Sequence, residues 1–136
     1  MSLVYDMQQA LPGFRAQAEG RMVDSCTITG EPVTRTLDPD TAEYTDVPTT
    51  IYAGKCEIKA ENVEATNVDA QGRAVVVVRR TLKLPVAGSE GVREGQTVTV
   101  TACVNDPGLV GNTYTVGAFT GGSFMTARRL PIQEQQ

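Results

Sequence analysis

The chain has 136 residues, a formal charge of −4, 40% apolar and 5% aromatic residues, and neither histidine nor tryptophan. One domain of this length buries roughly two thirds of its unfolded surface, so its core must be drawn from Val, Ile, Leu and Ala. The acidic balance argues against wrapping nucleic acid, which needs a basic footprint to displace counterions. The missing histidine removes the commonest general base and metal ligand, and with them every Ser-His-Asp or Cys-His pair.

In chain order, MSLVYDMQQA has neither the basic region nor the long apolar stretch of a signal peptide. No window approaches the roughly 20 apolar residues that span a bilayer, so no membrane association is expected. Residues 1–10 read as an arm, although Leu3, Val4 and Met7 could form one stripe with Leu11. Pro12 suits the first position of a helix, and PGFRAQAEGRM predicts a helix of about eleven residues, with Phe14, Ala18 and Met22 on one face.

Cys26 and Ile28 alternating with Thr27 and Thr29 predict a first strand. LDPDTAEY is a turn signal and predicts a hairpin tip between Val33–Thr36 and Tyr44–Val47. TTIYAGKCEIK (49–59) predicts a second strand, with Gly54 as a candidate bulge. Residues 60–72, AENVEATNVDAQG, read as a long polar loop. RAVVVVRRTLKL (73–84) predicts a strand that avoids water on both faces. After a glycine-rich loop at 86–96, Thr97–Val104 alternates cleanly, with Val98, Val100, Ala102 and Val104 on one side. A turn at 105–108 follows, and Leu109-Val110-Gly111 is too apolar for a free tip and is expected to fold back. Tyr114–Phe119 and residues 123–132 complete the strands, and the tail QEQQ is expected to fray. One helix followed by about six short strands indicates a mainly β domain over residues 11–132, a small antiparallel barrel or sandwich with long projecting loops. The Thr-rich strands favour the barrel.

Chemistry-bearing groups are sparse. Cys26, Cys56 and Cys103 are an odd set with no CxxC spacing. They read as buried small hydrophobes in a reducing compartment. Asp38, Asp40 and Glu43 could gather round calcium, but the run lacks the central Gly and closing Glu of an EF-hand loop and reads as a solvated turn. Arg79-Arg80 and Arg128-Arg129 lack interleaved aromatics for nucleic acid. They fit inter-subunit ion pairs better, since the planar guanidinium pairs with carboxylates. No cofactor, no metal and no enzymatic activity are expected.

The ordered series LPGFRAQAEGRM, VDSCTIT, TTIYAGKCEIK, LKLP, VREGQTVTVTA, DPGLVGNTYTV and TARRL resembles the head–tail connector proteins of tailed phages. More narrowly, it is similar to small proteins of actinobacterial phages in the head-closure, or head-to-tail stopper, position. The resemblance spans roughly residues 11 to 132 and implies a small β-barrel with an N-terminal helix. It also implies a ring of 6 or 12 copies in the virion neck, assembled in the host cytoplasm. The adaptor or portal lies above such a ring and the tail terminator or tail tube below, and DNA passes through without sequence-specific binding. Expected inter-subunit or partner contacts are Val75, Val77, Arg79, Arg80, Asp106, Leu109, Val110, Arg128 and Arg129. Glu61, Asn62, Glu64, Asn67 and Asp69 form the expected channel or partner loop. A tail-terminator or adaptor ring, an oligonucleotide-binding barrel and a carboxylate-based hydrolase are the alternatives.

Overall fold

Strands that alternate apolar and Thr residues can hide one face only by closing on themselves or on a second layer. Here they close. The computed structural model describes residues 3–63 and 77–135. Helix α1 (Leu3–Gly20) precedes β1 (Asp24–Leu37), β2 (Tyr44–Val63), β3 (Val77–Leu84), β4 (Thr97–Ala102), β5 (Thr113–Val116) and β6 (Arg128–Glu134). The six strands form one closed antiparallel barrel in the order β1-β2-β3-β6-β5-β4, and β4 returns to β1. The barrel expectation is met and the sandwich is not.

Inward side chains follow the period of two. Cys26 and Ile28 come from β1, Tyr52 and Cys56 from β2, Leu82 and Leu84 from β3. Val98 and Val100 come from β4, Tyr114 and Val116 from β5, Leu130 and Ile132 from β6. All are buried. Val92, from the loop before β4, joins this core, and Leu109 packs partly against it. Leu109 sits in a 3-10 turn (Pro107–Leu109) capped by Asp106, whose carboxylate accepts from the Gly108 amide at 3.1 Å. Gly111 then takes φ +89° and donates to the Val100 carbonyl at 2.8 Å. The fold-back of this segment is as expected.

Several expectations are corrected. The helix begins at Leu3, not Pro12, and runs through the proline. Pro12 removes the donor for the Gln8 carbonyl, but on a helix this exposed that carbonyl can turn to water. The arm assigned to residues 1–10 is therefore helical from Leu3 onward. The irregularity in β2 lies at Ile51, where Ile28 pairs with Tyr52 and Thr29 with Thr50. Gly54 serves another end: a Cβ there would meet the Tyr52 hydroxyl at 3.1 Å. That hydroxyl donates to the Lys55 carbonyl at 2.5 Å. β2 also continues to Val63, so residues 60–63, read as loop, are paired strand. β4 stops at Ala102, which leaves Val104 68% exposed past the barrel rim. β5 stops at Val116 and β6 extends to Glu134. The chain end is held: the Gln135 amide donates to the Thr113 carbonyl, and its side chain to the Thr97 and Thr115 hydroxyls, both at 3.1 Å.

The strands are unequal. β1 and β2 have 14 and 20 residues, whereas β4 has 6 and β5 has 4. β1 pairs with β4 only from Ser25 to Thr29. Beyond it, Val33–Leu37 pairs with Tyr44–Pro48 alone, as a two-stranded arm. At the other end of β2, Glu61–Val63 pairs with Val77–Arg79 beyond the last β3–β6 pair, Arg80 with Ile132.

Two measurements check this description. Leu82→Ala should lower stability by about 2–5 kcal/mol, while Leu37→Ala on the arm should change it by less than about 0.5 kcal/mol, both read from urea midpoints. The second concerns alkali. The Tyr52 hydroxyl is pushed up to about 12 from an ordinary 10.0, first by burial and then by Cys26, Cys56 and Glu19. The Cys56 thiol is raised from its ordinary 9.0, first by its hydrogen bond with Cys26 and then by burial. Both groups ionise earlier in the unfolded chain, which then holds fewer protons than the native one. Their contribution is complete below about pH 9 and is lost as pH rises. Urea midpoints should fall progressively above pH 9, and Tyr52→Phe should flatten the part of the decline between pH 10 and 12.

Candidate interaction surfaces

α1 should be held by an apolar face against the barrel, because short helices owe most of their stability to tertiary packing. Yet none of its 18 residues is buried. Leu3, Val4, Met7 and Phe14 are exposed by 42–73%. Their spacing, continued by Leu11 and Ala18, is that of one helical stripe. Two contacts tether its C-terminal half. Arg15 Nε donates to the Met125 carbonyl at 2.9 Å, and Lys55 Nζ pairs with Glu19 Oε1 at 3.3 Å.

The tethers leave a groove of about 230 Å³ between α1 and the barrel wall. Phe14, Ala18 and Ala127 supply its apolar lining, and Arg21, Lys83 and Arg129 stand round it with Glu57 as the one carboxylate. The three cations come from the end of α1, from β3 and from β6. None has an ion-pair partner among the described residues.

The β1–β2 arm is the second surface, and every residue from Glu31 to Pro48 is exposed. The register puts Val33, Arg35 and Leu37 on the same face as Pro48, Asp46 and Tyr44. Arg35 Nε meets Asp46 Oδ1 at 3.0 Å, and the guanidinium lies 5.7 Å from the Tyr44 ring centroid. An exposed pair of this kind contributes about 0–1 kcal/mol. The tip is closed by Asp38 N to Glu43 O (2.9 Å), Ala42 N to Asp38 O (2.8 Å) and Asp40 N to Asp38 Oδ1 (2.9 Å). The turn read from LDPDTAEY is thus present, with Ala42 at φ +57°. At the arm's root, Thr49 donates to the Pro32 carbonyl. A wider cleft of about 620 Å³ there is lined by Glu31, Val33, Arg93, Glu94 and Gln96.

Charge is unevenly placed. Residues 31–48 carry Glu31, Asp38, Asp40, Glu43 and Asp46 against Arg35 alone, a net of −4. The whole chain is also −4, so the remaining residues balance with eleven acids and eleven bases.

The expected contact residues fare differently. Arg80 is committed inside the chain: it pairs with Glu134 at 3.1 Å and lies 5.7 Å from the ring centroid of the buried Tyr114. Arg128 also turns inward, donating to Ser89 Oγ at 2.8 Å and to the Val86 carbonyl at 3.3 Å. Ser89 in turn donates to the Pro85 carbonyl at 2.5 Å. Arg129, Asp106 and Val110 are exposed, and Leu109 is half-buried. Val77, Arg79, Glu61 and Asn62 are placed by backbone pairing alone, the last two in β2 rather than in a loop. Val75, Glu64, Asn67 and Asp69 lie outside the described residues. Cys26 and Cys56 are buried free thiols and Cys103 is half-buried. No cluster of His, Cys, Asp or Glu among the described residues could hold a metal. No described helix is long and apolar enough to cross a membrane. The exposed aromatics are Tyr5 and Phe14, well separated along α1, Tyr44 on the arm and Phe124 in the loop before β6, and they do not gather into a stacking platform.

The fold and its exposed elements define a small closed β-barrel that carries an unburied N-terminal helix and a strand overhang at each end of β2. The chain belongs to DUF6093, a family of unknown function whose model matches residues 14–133. A search of curated proteins finds no match.

Amide hydrogen exchange on the dilute, isolated chain tests the exposure of α1. Amides of residues 7–11 should exchange within about tenfold of the unprotected rate, while Val98 and Leu130 should be slowed by about a thousandfold or more. Equal protection in helix and barrel would contradict this description.

Proposed function

We propose that this chain is a structural protein of a tailed-phage particle. Copies of it form a ring at the neck, in the head-to-tail stopper position, closing the filled head and presenting the surface on which the tail docks. The observation that carries the reading is the state of α1 and the β1–β2 arm. An 18-residue helix with no buried residue and a two-stranded ribbon exposed on both faces are each marginal alone. Such elements make physical sense where neighbours cover them. A ring supplies that cover repeatedly, since each heterologous contact uses a different patch on each partner. The ordered sequence series from LPGFRAQAEGRM to TARRL supports the same reading. The acidic net charge of the chain supports it too, because holding DNA requires a basic excess.

In this role the adaptor or portal lies above and the tail terminator or tail tube below. Six or twelve copies close the ring, assembly takes place in the host bacterial cytoplasm, and the finished protein resides in the virion. The work is steric and adhesive, with weak contacts multiplied round the ring, and no bond is made or broken.

Imaging the neck of purified particles tests the proposal. The expected result is a ring of barrels, each with a helix on its outer wall, between portal and tail tube. Density for this chain in the capsid shell or at the tail tip, or its absence from the particle, would overturn it.

A further inference from the structure

We propose that the β1–β2 arm of one copy lies in the groove between α1 and the barrel wall of the next copy. The inference rests on the ring reading above and specifies the contact that builds the ring. It begins with two surfaces that one chain leaves bare. The arm offers an exposed apolar ladder of Val33, Leu37, Tyr44 and Pro48, the first three open to solvent by 50–66%. α1 offers the exposed stripe of Leu3, Met7 and Phe14, whose last member lines the groove. The two are comparable in reach: Val33 to Leu37 extends about 14 Å along a strand, and Leu3 to Phe14 about 17 Å along a helix.

Charge selects the occupant. The arm holds the chain's entire negative excess, and at its tip Asp38, Asp40 and Glu43 have no cationic partner among the described residues. The groove presents Arg21, Lys83 and Arg129 against Glu57. Three carboxylates without cationic partners on one surface and three cations without anionic partners on the other are complementary, as a heterologous contact requires. A second copy of this chain therefore satisfies both surfaces at once, and apolar contact along the arm reinforces the ion pairs at its tip. Because donor and acceptor patches differ, each copy has both a free arm and a free groove, and the contact can pass from copy to copy round a ring.

The test uses the full chain at millimolar concentration, with equal amounts of ¹⁴N- and ¹⁵N-labelled protein and a photo-crosslinking residue in place of Tyr44. Mass spectrometry should find mixed-isotope crosslinks from position 44 to peptides of residues 11–21 or 126–129. In parallel, Asp38→Lys with Asp40→Lys and Glu43→Lys should weaken self-association about tenfold or more, as should Arg21→Glu with Lys83→Glu and Arg129→Glu. A mixture of the two variants should recover association, which misfolding of either could not produce. Mixed-isotope crosslinks to other surfaces would overturn the arm-in-groove contact and leave the ring standing. The absence of mixed-isotope crosslinks, or a variant mixture that fails to associate, would overturn the contact itself. Neither result displaces the neck assignment, which the particle image decides separately.

Discussion

The architecture depends on how far β4 can pair with β1. Five residues of β1, Ser25 to Thr29, hydrogen-bond to β4 and close the barrel. β5 adds only four more residues to the wall. Those short strands set the height of the closed cylinder, and the long strands have no choice but to run past it. β1 and β2 leave one rim together as the arm, and β2 and β3 leave the other as a shorter extension. Inside the closed part each strand pairs on both sides, and the inward side chains pack into one core. Outside it, the same two strands have only each other. The division between stable core and exposed protrusion thus follows from strand length alone.

Much of this was legible in the residues. Val98 and Val100 against Thr97 and Thr99 announce a half-buried strand, and LDPDTAEY announces its turn, because alternation and turn chemistry are local signals. The losses are equally specific. Pro12 reads as a helix start when a proline is weighed alone, whereas the stripe through Leu3, Met7 and Leu11 continues across it. AENV has no alternation, so the continuation of β2 to Val63 depends on the partner strand and not on its own residues. Gly54 reads as a bulge until the Tyr52 hydroxyl is seen above it. The inward duties of Arg80 and Arg128 join residues 34 and 39 positions apart or more, at Tyr114, Glu134 and Ser89, and no spacing rule reaches that far. The groove cations likewise come from three elements and meet only in the fold.

Electrostatics divides the molecule as sharply as burial does. The residues outside the arm balance in charge, and the excess sits on a thin ribbon, with three of its carboxylates at the tip. In such a position the carboxylates stay hydrated and repel one another only weakly, so the charge costs the folded chain little. It also keeps the apolar ladder behind it soluble until something of opposite charge approaches.

β2 enters both protrusions as one covalent strand of 20 residues, a contour of about 60 Å. It behaves as a tie rod through the cylinder. Tension applied where the first ribbon is gripped travels along the main chain to the opposite rim without crossing any packed interface. The lateral hydrogen bonds to β1 and β3 resist its sliding in shear. Whatever seats one end of the molecule is therefore mechanically connected to whatever is held at the other.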